Sequence, residues 1–175
     1  GARYHGLSAP AGTNIILGDT RGANGLWAVC TTGPRLGGVD PVSGGQGNNI
    51  IIGGAAGDVI AGGAGDDVIV GDGGLVSRVS GVVLRVQTTD DAIGGNDTIT
   101  GGEGNEIIVG GAGGDAITAS LGGDIRLGDA GVAIIGGDVY TTSPSVGGDD
   151  TITGGAGLGF SNRSILIGGA GSDIL

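Results

Sequence analysis

The sequence predicts an all-β fold of stacked 18-residue coils with β-hairpins inserted between groups of coils. Three observations carry this. A nine-residue unit recurs along the chain, each unit joins a glycine turn to a β-branched triplet, and hairpin-like segments interrupt the repeats at similar intervals.

The first unit, APAGTNIIL, covers residues 9–17. From Arg35 four units run without a gap over 35–70: RLGGVDPVS, GGQGNNIII, GGAAGDVIA and GGAGDDVIV. Four more run over 92–127: AIGGNDTIT, GGEGNEIIV, GGAGGDAIT and ASLGGDIRL. A last block, 145–175, opens with SVGGDDTIT, slips through GGAGLGFSNRSILI and closes on GGAGSDIL. Position six holds Asp40, Asp58, Asp67, Asp97, Glu106, Asp115, Asp124, Asp150 and Asp173, half of the 18 acids in the chain. Asn14 and Asn49 fill the same slot and are expected to keep an oxygen acceptor there. Position eight is aliphatic at Ile16, Val42, Ile51, Ile60, Ile69, Ile99, Ile108, Ile117, Ile152 and Leu175, with Arg126 the exception.

The unit has a direct physical meaning. Paired glycines permit the positive φ of tight turns, and the closing triplet suits a very short strand whose middle residue faces one side. Turn, strand, turn, strand closes a flattened coil. Coils stacked about 4.8 Å apart hydrogen-bond strand to strand and turn position eight into an internal aliphatic ladder. A helix is excluded, because each glycine in it costs about 1 kcal/mol.

The interruptions, 18–34, 71–91 and 128–144, each begin with Gly-Asp and end near a Thr pair. Asn24-Gly25, Ser80-Gly81 and Gly136-Gly137 mark their centres as hairpin turns. Asp19, Asp72 and Asp129 therefore define a longer, three-fold repeat. The hairpins either bury apolar surface along one edge of the coils or extend the sheet as tolerated insertions. Trp27, Val83 and Tyr140 are the side chains to follow.

Composition narrows the function. The chain has 46 Gly, four Pro, no Lys and a single Trp and Phe, with 38% apolar residues and a mean hydropathy of +0.29. Collagen is excluded, since glycine does not fall at every third position, and disorder conflicts with the strong period. A net charge of -11 argues against nucleic acid or an anionic membrane surface as partner and favours cations. No apolar run approaches the roughly 18 residues of a membrane span. Cys30 is alone, so no internal disulfide framework exists. The start without Met and the end at SDIL suggest one stretch of a longer chain or array, continued covalently or end to end with copies of itself or neighbouring repeats.

GGAGDDVIV and GGAGGDAIT resemble the RTX nonapeptide, GGxGxDxUx with U a large apolar residue. The resemblance implies a parallel β-roll, a β-solenoid in which position-six carboxylates and turn carbonyls of successive coils enclose Ca²⁺. Carried over residue by residue, Asp40 with Asp58 and Asp97 with Asp115 are candidate metal ligands on one edge. Asn49 with Asp67 and Glu106 with Asp124 are candidates on the other, and Asp150 and Asp173 continue the series. Some positions depart from the pattern: Ala56 replaces a turn glycine, Glu106 is one methylene longer, Asn49 lacks charge, and the unit at 119 begins ASL.

Charge supports the same cation. Carboxylates stacked about 4.8 Å apart repel unless something neutralises them. The seven Arg lie mostly outside the turns, so a counter-ion from the protein is not expected. Ca²⁺ accepts about 6 to 8 hard oxygens with loose geometry, whereas Mg²⁺ demands a stricter octahedron. The alternative is that the Asp and Asn only close Asx turns with their own backbone.

Enzyme chemistry finds little support, since His5 is the only His and adjacent acids such as Asp66-Asp67, Asp90-Asp91 and Asp149-Asp150 are explained by turns or point to opposite faces. Ice binding is prompted by TIT at 98–100 and 151–153, but neighbouring units carry IIV and AIT, so no flat Thr ladder is expected. The sequence thus points to a calcium-stabilised structural segment of a secreted or cell-surface repeat protein, such as an adhesin, surface-layer or fibre-forming protein. The alternative is the C-terminal folding and secretion module of an RTX enzyme or toxin.

Overall fold

The computed structural model describes residues 7–8, 15–17, 28–30, 37–119, 122–154 and 164–175. Among them every regular element is a strand, and the strands form three sheets. The first sheet contains β1 (Leu7–Ser8), β4 (Pro41–Gln46), β6 (Val59–Ala64), β10 (Thr98–Glu103), β12 (Ala116–Thr118) and β16 (Thr151–Thr153), in that order. The second contains β2 (Ile15–Leu17), β5 (Ile50–Ile52), β7 (Val68–Val70), β11 (Ile107–Gly111), β13 (Ile125–Asp129) and β17 (Ile165–Ile167). Both are wholly parallel, and successive nonapeptides alternate between them.

Position eight sets the register. Val42 lies beside Ile60, Ile51 beside Ile69, and Ile99 beside Ile117, each pair 18 residues apart. Ile60 also lies beside Ile99, so the interruption between them leaves the register intact. Val42, Ile51, Ile60, Ile69, Ile99, Ile108, Ile117 and Ile152 form one continuous core between the two parallel sheets. At about 1.5 to 3 kcal/mol per buried aliphatic side chain, this ladder is a principal hydrophobic contribution to the fold. Leu175, expected as a further rung, is exposed; past β16 the first sheet continues, among the described residues, only as an isolated bridge from Ile174 to Thr151.

The two parallel sheets differ in their outer faces. In β10, β12 and β16 the middle residue of TIT, AIT and TIT is buried and its neighbours are exposed. In β5 and β7 all three residues of III and VIV are buried. Parallel strands covered on both sides read as continuous apolar runs.

The cover is a third sheet, antiparallel and ordered β15-β14-β9-β8-β3. It comprises β3 (Ala28–Cys30), β8 (Gly74–Val79), β9 (Val82–Thr88), β14 (Gly131–Ile134) and β15 (Val139–Thr141). β8 and β9 close through Ser80-Gly81, both at positive φ (51° and 84°), as the two-residue turn predicts. Successive insertions join edge to edge, with Val29 opposite Val76 and Val86 opposite Ala133. Val76, Val86 and Ala133 are completely buried against Ile52, Val70, Val109 and Leu127 of the second sheet.

One alternative is thereby decided and one expectation corrected. The hairpins extend neither parallel sheet; they build a second core, to which Val83 contributes, while Tyr140 is exposed. The Thr ladder was discounted because of the neighbouring IIV, but IIV belongs to the second sheet. On the first, Thr100 lies beside Thr118 and Thr118 beside Thr153, a column that gives way to Ala61 below. His5, Asn14, Asp19, Asn24-Gly25 and Trp27 lie outside the described residues.

Candidate metal centre

The position-six residues line the two edges where the chain passes between the parallel sheets. On one edge each carboxylate reaches back to the backbone of the preceding coil. The amides of Asp40, Asp97, Asp115 and Asp150 donate to Oδ1 of Asp58, Asp115, Asp150 and Asp173 at 2.8, 2.8, 2.7 and 3.1 Å. The Asp58 amide completes the row by donating to Asp97 Oδ1 at 2.6 Å. These bonds run between coils, so the position-six acids do more than close their own turns.

The second carboxylate oxygen is arranged differently. Oδ2 of Asp67, Asp97, Asp115 and Asp150 is buried with no hydrogen-bond donor. A Cβ placed on Gly62 would lie 2.5 Å from Asp67 Oδ2 and 2.5 Å from the Gly101 carbonyl oxygen. The same convergence recurs at Gly71 with Asp97 and the Gly110 carbonyl, at Gly110 with Asp115 and the Gly128 carbonyl, and at Gly128 with Asp150 and the Gly168 carbonyl. Only glycine fits at these four positions, because a methyl group there would fill the space that the two oxygens share. A carboxylate oxygen without a donor that faces a carbonyl oxygen is repelled by it, and a hard cation relieves this.

Burial acts on these acids in the same direction. It pushes Asp97 up to about 7, Asp115 up to about 8 and Asp150 up to about 7, and it raises Asp40 and Asp67 as well. Among the described residues no three His, Cys, Asp or Glu side chains converge into a metal-binding group. Carboxylates paired with backbone carbonyls are the donor set on offer.

The chain matches the family model for the RTX calcium-binding nonapeptide repeat (4 copies) over residues 43–74, 91–125 and 146–157. Those three stretches match RTX calcium-binding nonapeptides. Searches of curated proteins and of solved structures gave no match. Calcium is the cofactor of RTX repeats, and the convergent carboxylate and carbonyl oxygens fit it, since Ca²⁺ is bound by oxygen ligands of both kinds.

The second RTX edge is less regular. The Asn49 amide donates to Asp67 Oδ1 at 2.8 Å, but the Asn49 side chain uses its Nδ2 as a donor, to the Gly47 carbonyl at 2.7 Å and Asp67 Oδ1 at 3.0 Å. The side chain in this slot thus also acts as a donor. The Glu106 amide donates to Asp124 Oδ1 at 2.9 Å, which brings this predicted pair together. Burial, reinforced by the Asp124 carboxylate beside it, pushes the Glu106 carboxyl up to about 8. Asp124 Oδ2, however, is bound by Arg126 Nη2. The expectation that no protein counter-ion serves the carboxylates is corrected at this step. Asp173, also predicted, is only half-buried.

Position five carries an exposed ladder of its own. Asn48 Oδ1 accepts from the Asp66 amide at 3.0 Å, Asp66 Oδ1 from the Asn105 amide at 2.8 Å, and Asn105 Oδ1 from the Gly123 amide at 2.9 Å. A purely structural role, tying units 18 or 39 residues apart, belongs to this row.

Three acids escaped functional assignment from sequence. Asp72 and Asp129 stand where an ordinary unit has its second glycine, which takes φ of 116° at Gly54 and 112° at Gly63. Asp is ill suited to that conformation. The chain leaves the coil instead, and the carboxylate clamps the exit. Asp72 accepts from the amides of Gly95 at 3.1 Å and Ala112 at 2.5 Å; Asp129 accepts from those of Gly148 at 3.2 Å and Ala170. Burial, helped by the charge of Asp97, raises Asp72 to about 9.

Asp91 joins successive hairpins, accepting from Thr88 at 2.8 Å, Thr142 at 2.6 Å and Ser143 at 2.7 Å. Burial opposes its ionisation, but these hydroxyls outweigh it and hold the carboxyl below its ordinary value. The recurring Gly-Asp and Thr pairs were the sequence signal for both arrangements.

Proposed function

We propose that this chain is a calcium-stabilised structural segment of a secreted or cell-surface repeat protein, with folding coupled to calcium binding. The observation that carries this is the row of buried carboxylate oxygens, at Asp67, Asp97, Asp115 and Asp150, turned without donors towards glycine carbonyls. The match to RTX repeats supports the cation and a place in a secreted protein. Residues 1–175 are taken as one array, a β-roll of 18-residue coils, with blocks 9–17, 35–70, 92–127 and 145–175 and insertions 18–34, 71–91 and 128–144.

Asp40, Asp58, Asp67, Asp97, Asp115, Asp150 and Asp173 are the proposed ligands, with glycine-turn carbonyls completing each site and Asn49 a weaker, neutral member. Bound calcium supplies positive charge between the coils. The chain's own part is to hold each Oδ1 on a neighbouring backbone amide, which aims Oδ2 at the turn carbonyls. A chain with 46 glycines loses much conformational entropy on folding. Metal binding that requires the folded turns offsets this loss. Low calcium would leave the chain unfolded, and extracellular calcium would fold it.

Hairpins that share a core with the roll favour a structural role, as in an adhesin, surface layer or fibre, over a secretion module of uninterrupted repeats. Far-ultraviolet circular dichroism on the purified chain tests the coupling. The expected result is a coil spectrum in chelator and a β spectrum once calcium is in excess. A chain that is equally folded in both conditions sinks the proposal.

A further inference from the structure

The step between Glu106 and Asp124 departs from its neighbours in three ways at once. Position one of the upper unit is Ala119 instead of glycine, and its methyl group is buried in the ladder core. At Gly62, Gly71, Gly110 and Gly128 the equivalent space is shared by a carboxylate oxygen and a carbonyl. Position eight is Arg126 instead of an aliphatic residue, 1% exposed and beside Ile108 in the register. Its guanidinium engages Asp124 Oδ2 through Nη2 and the Thr153 carbonyl through Nη1 at 3.3 Å. Position six of the lower unit is Glu106, longer than Asp.

The acceptors satisfied by Arg126 are of the kinds that converge elsewhere, one carboxylate oxygen and one backbone carbonyl. Asp124 consequently has both oxygens engaged, the other by the Glu106 amide at 2.9 Å. Its counterparts Asp97, Asp115 and Asp150 each have one buried oxygen without a donor. A guanidinium already supplies the positive charge and the donors, and Ala119 closes the cradle. Glu106 keeps both carboxylate oxygens buried without a donor, so it is Asp124 whose charge the guanidinium matches.

We propose that the Glu106–Asp124 step is built to exclude calcium, with Arg126 serving as a resident cation. The step is a calcium-independent rung within a calcium-dependent array. This rests on the calcium function proposed above and assigns one position at which that function is replaced.

Native mass spectrometry of the full chain, loaded with calcium and freed of excess, counts the bound ions. The triple variant Glu106→Asp, Ala119→Gly, Arg126→Ile restores the ordinary repeat and is expected to retain one calcium ion more than the wild type. A second variant, Asp124→Asn with Arg126→Leu, removes both charges and is expected to retain the wild-type number. By contrast, Asp97→Asn is expected to lose at least one ion. An unchanged count in a folded triple variant, or a lower count in the Asp124 and Arg126 variant, overturns the inference while leaving the calcium function standing. If the triple variant does not fold, the second variant decides alone. A wild-type chain that retains no calcium overturns both.

Discussion

The backbone amide of Asp97 donates to Oδ1 of Asp115, 18 residues later in the chain, at 2.8 Å. One carboxylate oxygen thus serves the stack of coils while the other, Asp115 Oδ2, is buried without a donor. The two oxygens have separable roles, and that separation can be tested.

Asp115→Asn keeps an oxygen for the Asp97 amide but removes the charge. In chelator, where the wild type is a coil, this variant should show more β structure than the wild type, because a buried, unmatched carboxylate is gone; in calcium it should be less stable. Asp115→Ala should be destabilised in calcium, by about 1 to 3 kcal/mol for the amide left unsatisfied, and should stay a coil in chelator. Urea denaturation in calcium and circular dichroism in chelator measure these changes. The same order of stabilities in both conditions contradicts a calcium role for Asp115.

The pH dependence of the calcium-free chain has a definite sign. Asp97, Asp115 and Asp150 are raised from 3.8 to about 7, 8 and 7, so the folded chain holds protons that the unfolded chain has released. The stability they contribute is full below about pH 4 and is lost as pH rises through about 7 to 8. In chelator the chain should therefore gain β structure as the pH falls from 9 to 5. Calcium should close or invert the gap, because it binds the deprotonated groups. Circular dichroism at both values of pH, with and without calcium, checks the sign.

Val76 and Val86 test whether the hairpin sheet is part of the fold. Both are completely buried, whereas Val82 in the same hairpin is 61% exposed. Val76→Ala or Val86→Ala should cost about 1 to 3 kcal/mol of global stability. Val82→Ala should change it by less than about 0.5 kcal/mol. Similar, negligible costs at all three positions would return the hairpins to the status of tolerated insertions.

Asp72→Ala should release the amides of Gly95 and Ala112, the two bonds that clamp the base of the hairpin. The expected loss is about 2 kcal/mol or more for two orphaned donors. Hydrogen exchange at Gly95 and Ala112 should accelerate relative to Ile99 in the ladder. Unchanged protection at both amides would remove the clamp from the argument.

Ala56 occupies a turn position with φ of 85°, where its counterparts are Gly47, Gly65, Gly104 and Gly113. Left-handed φ costs a residue with a Cβ about 1 to 2 kcal/mol. Ala56→Gly is the substitution expected to stabilise the chain, by about 1 kcal/mol, in equilibrium unfolding with calcium present.

The repeat was legible because its causes are local. Glycine at a left-handed turn position, Asp at position six and an aliphatic residue at position eight each answer to their own unit, so the phase of Asp40, Asp58 and Asp67 and the ladder of Ile51, Ile60 and Ile69 could be written from sequence alone. The role of Arg126 could not. It appeared as a break in the ladder, and only the side chain's course back to Asp124 turned it into a counter-ion.

The sequence by itself determined an all-β chain, the alternation of glycine turns with short strands, the acids that face the turns and the sites of the hairpin turns. Tertiary structure decided what lies against what. III at 50–52 and TIT at 98–100 look like variants of one triplet, yet the first is covered on both faces and the second on one. That difference exists because hairpins contributed by segments far apart in the chain pair with one another and close over the second sheet alone. Burial of a parallel strand's second face depends on which other segment arrives there, and no nine-residue unit contains that information.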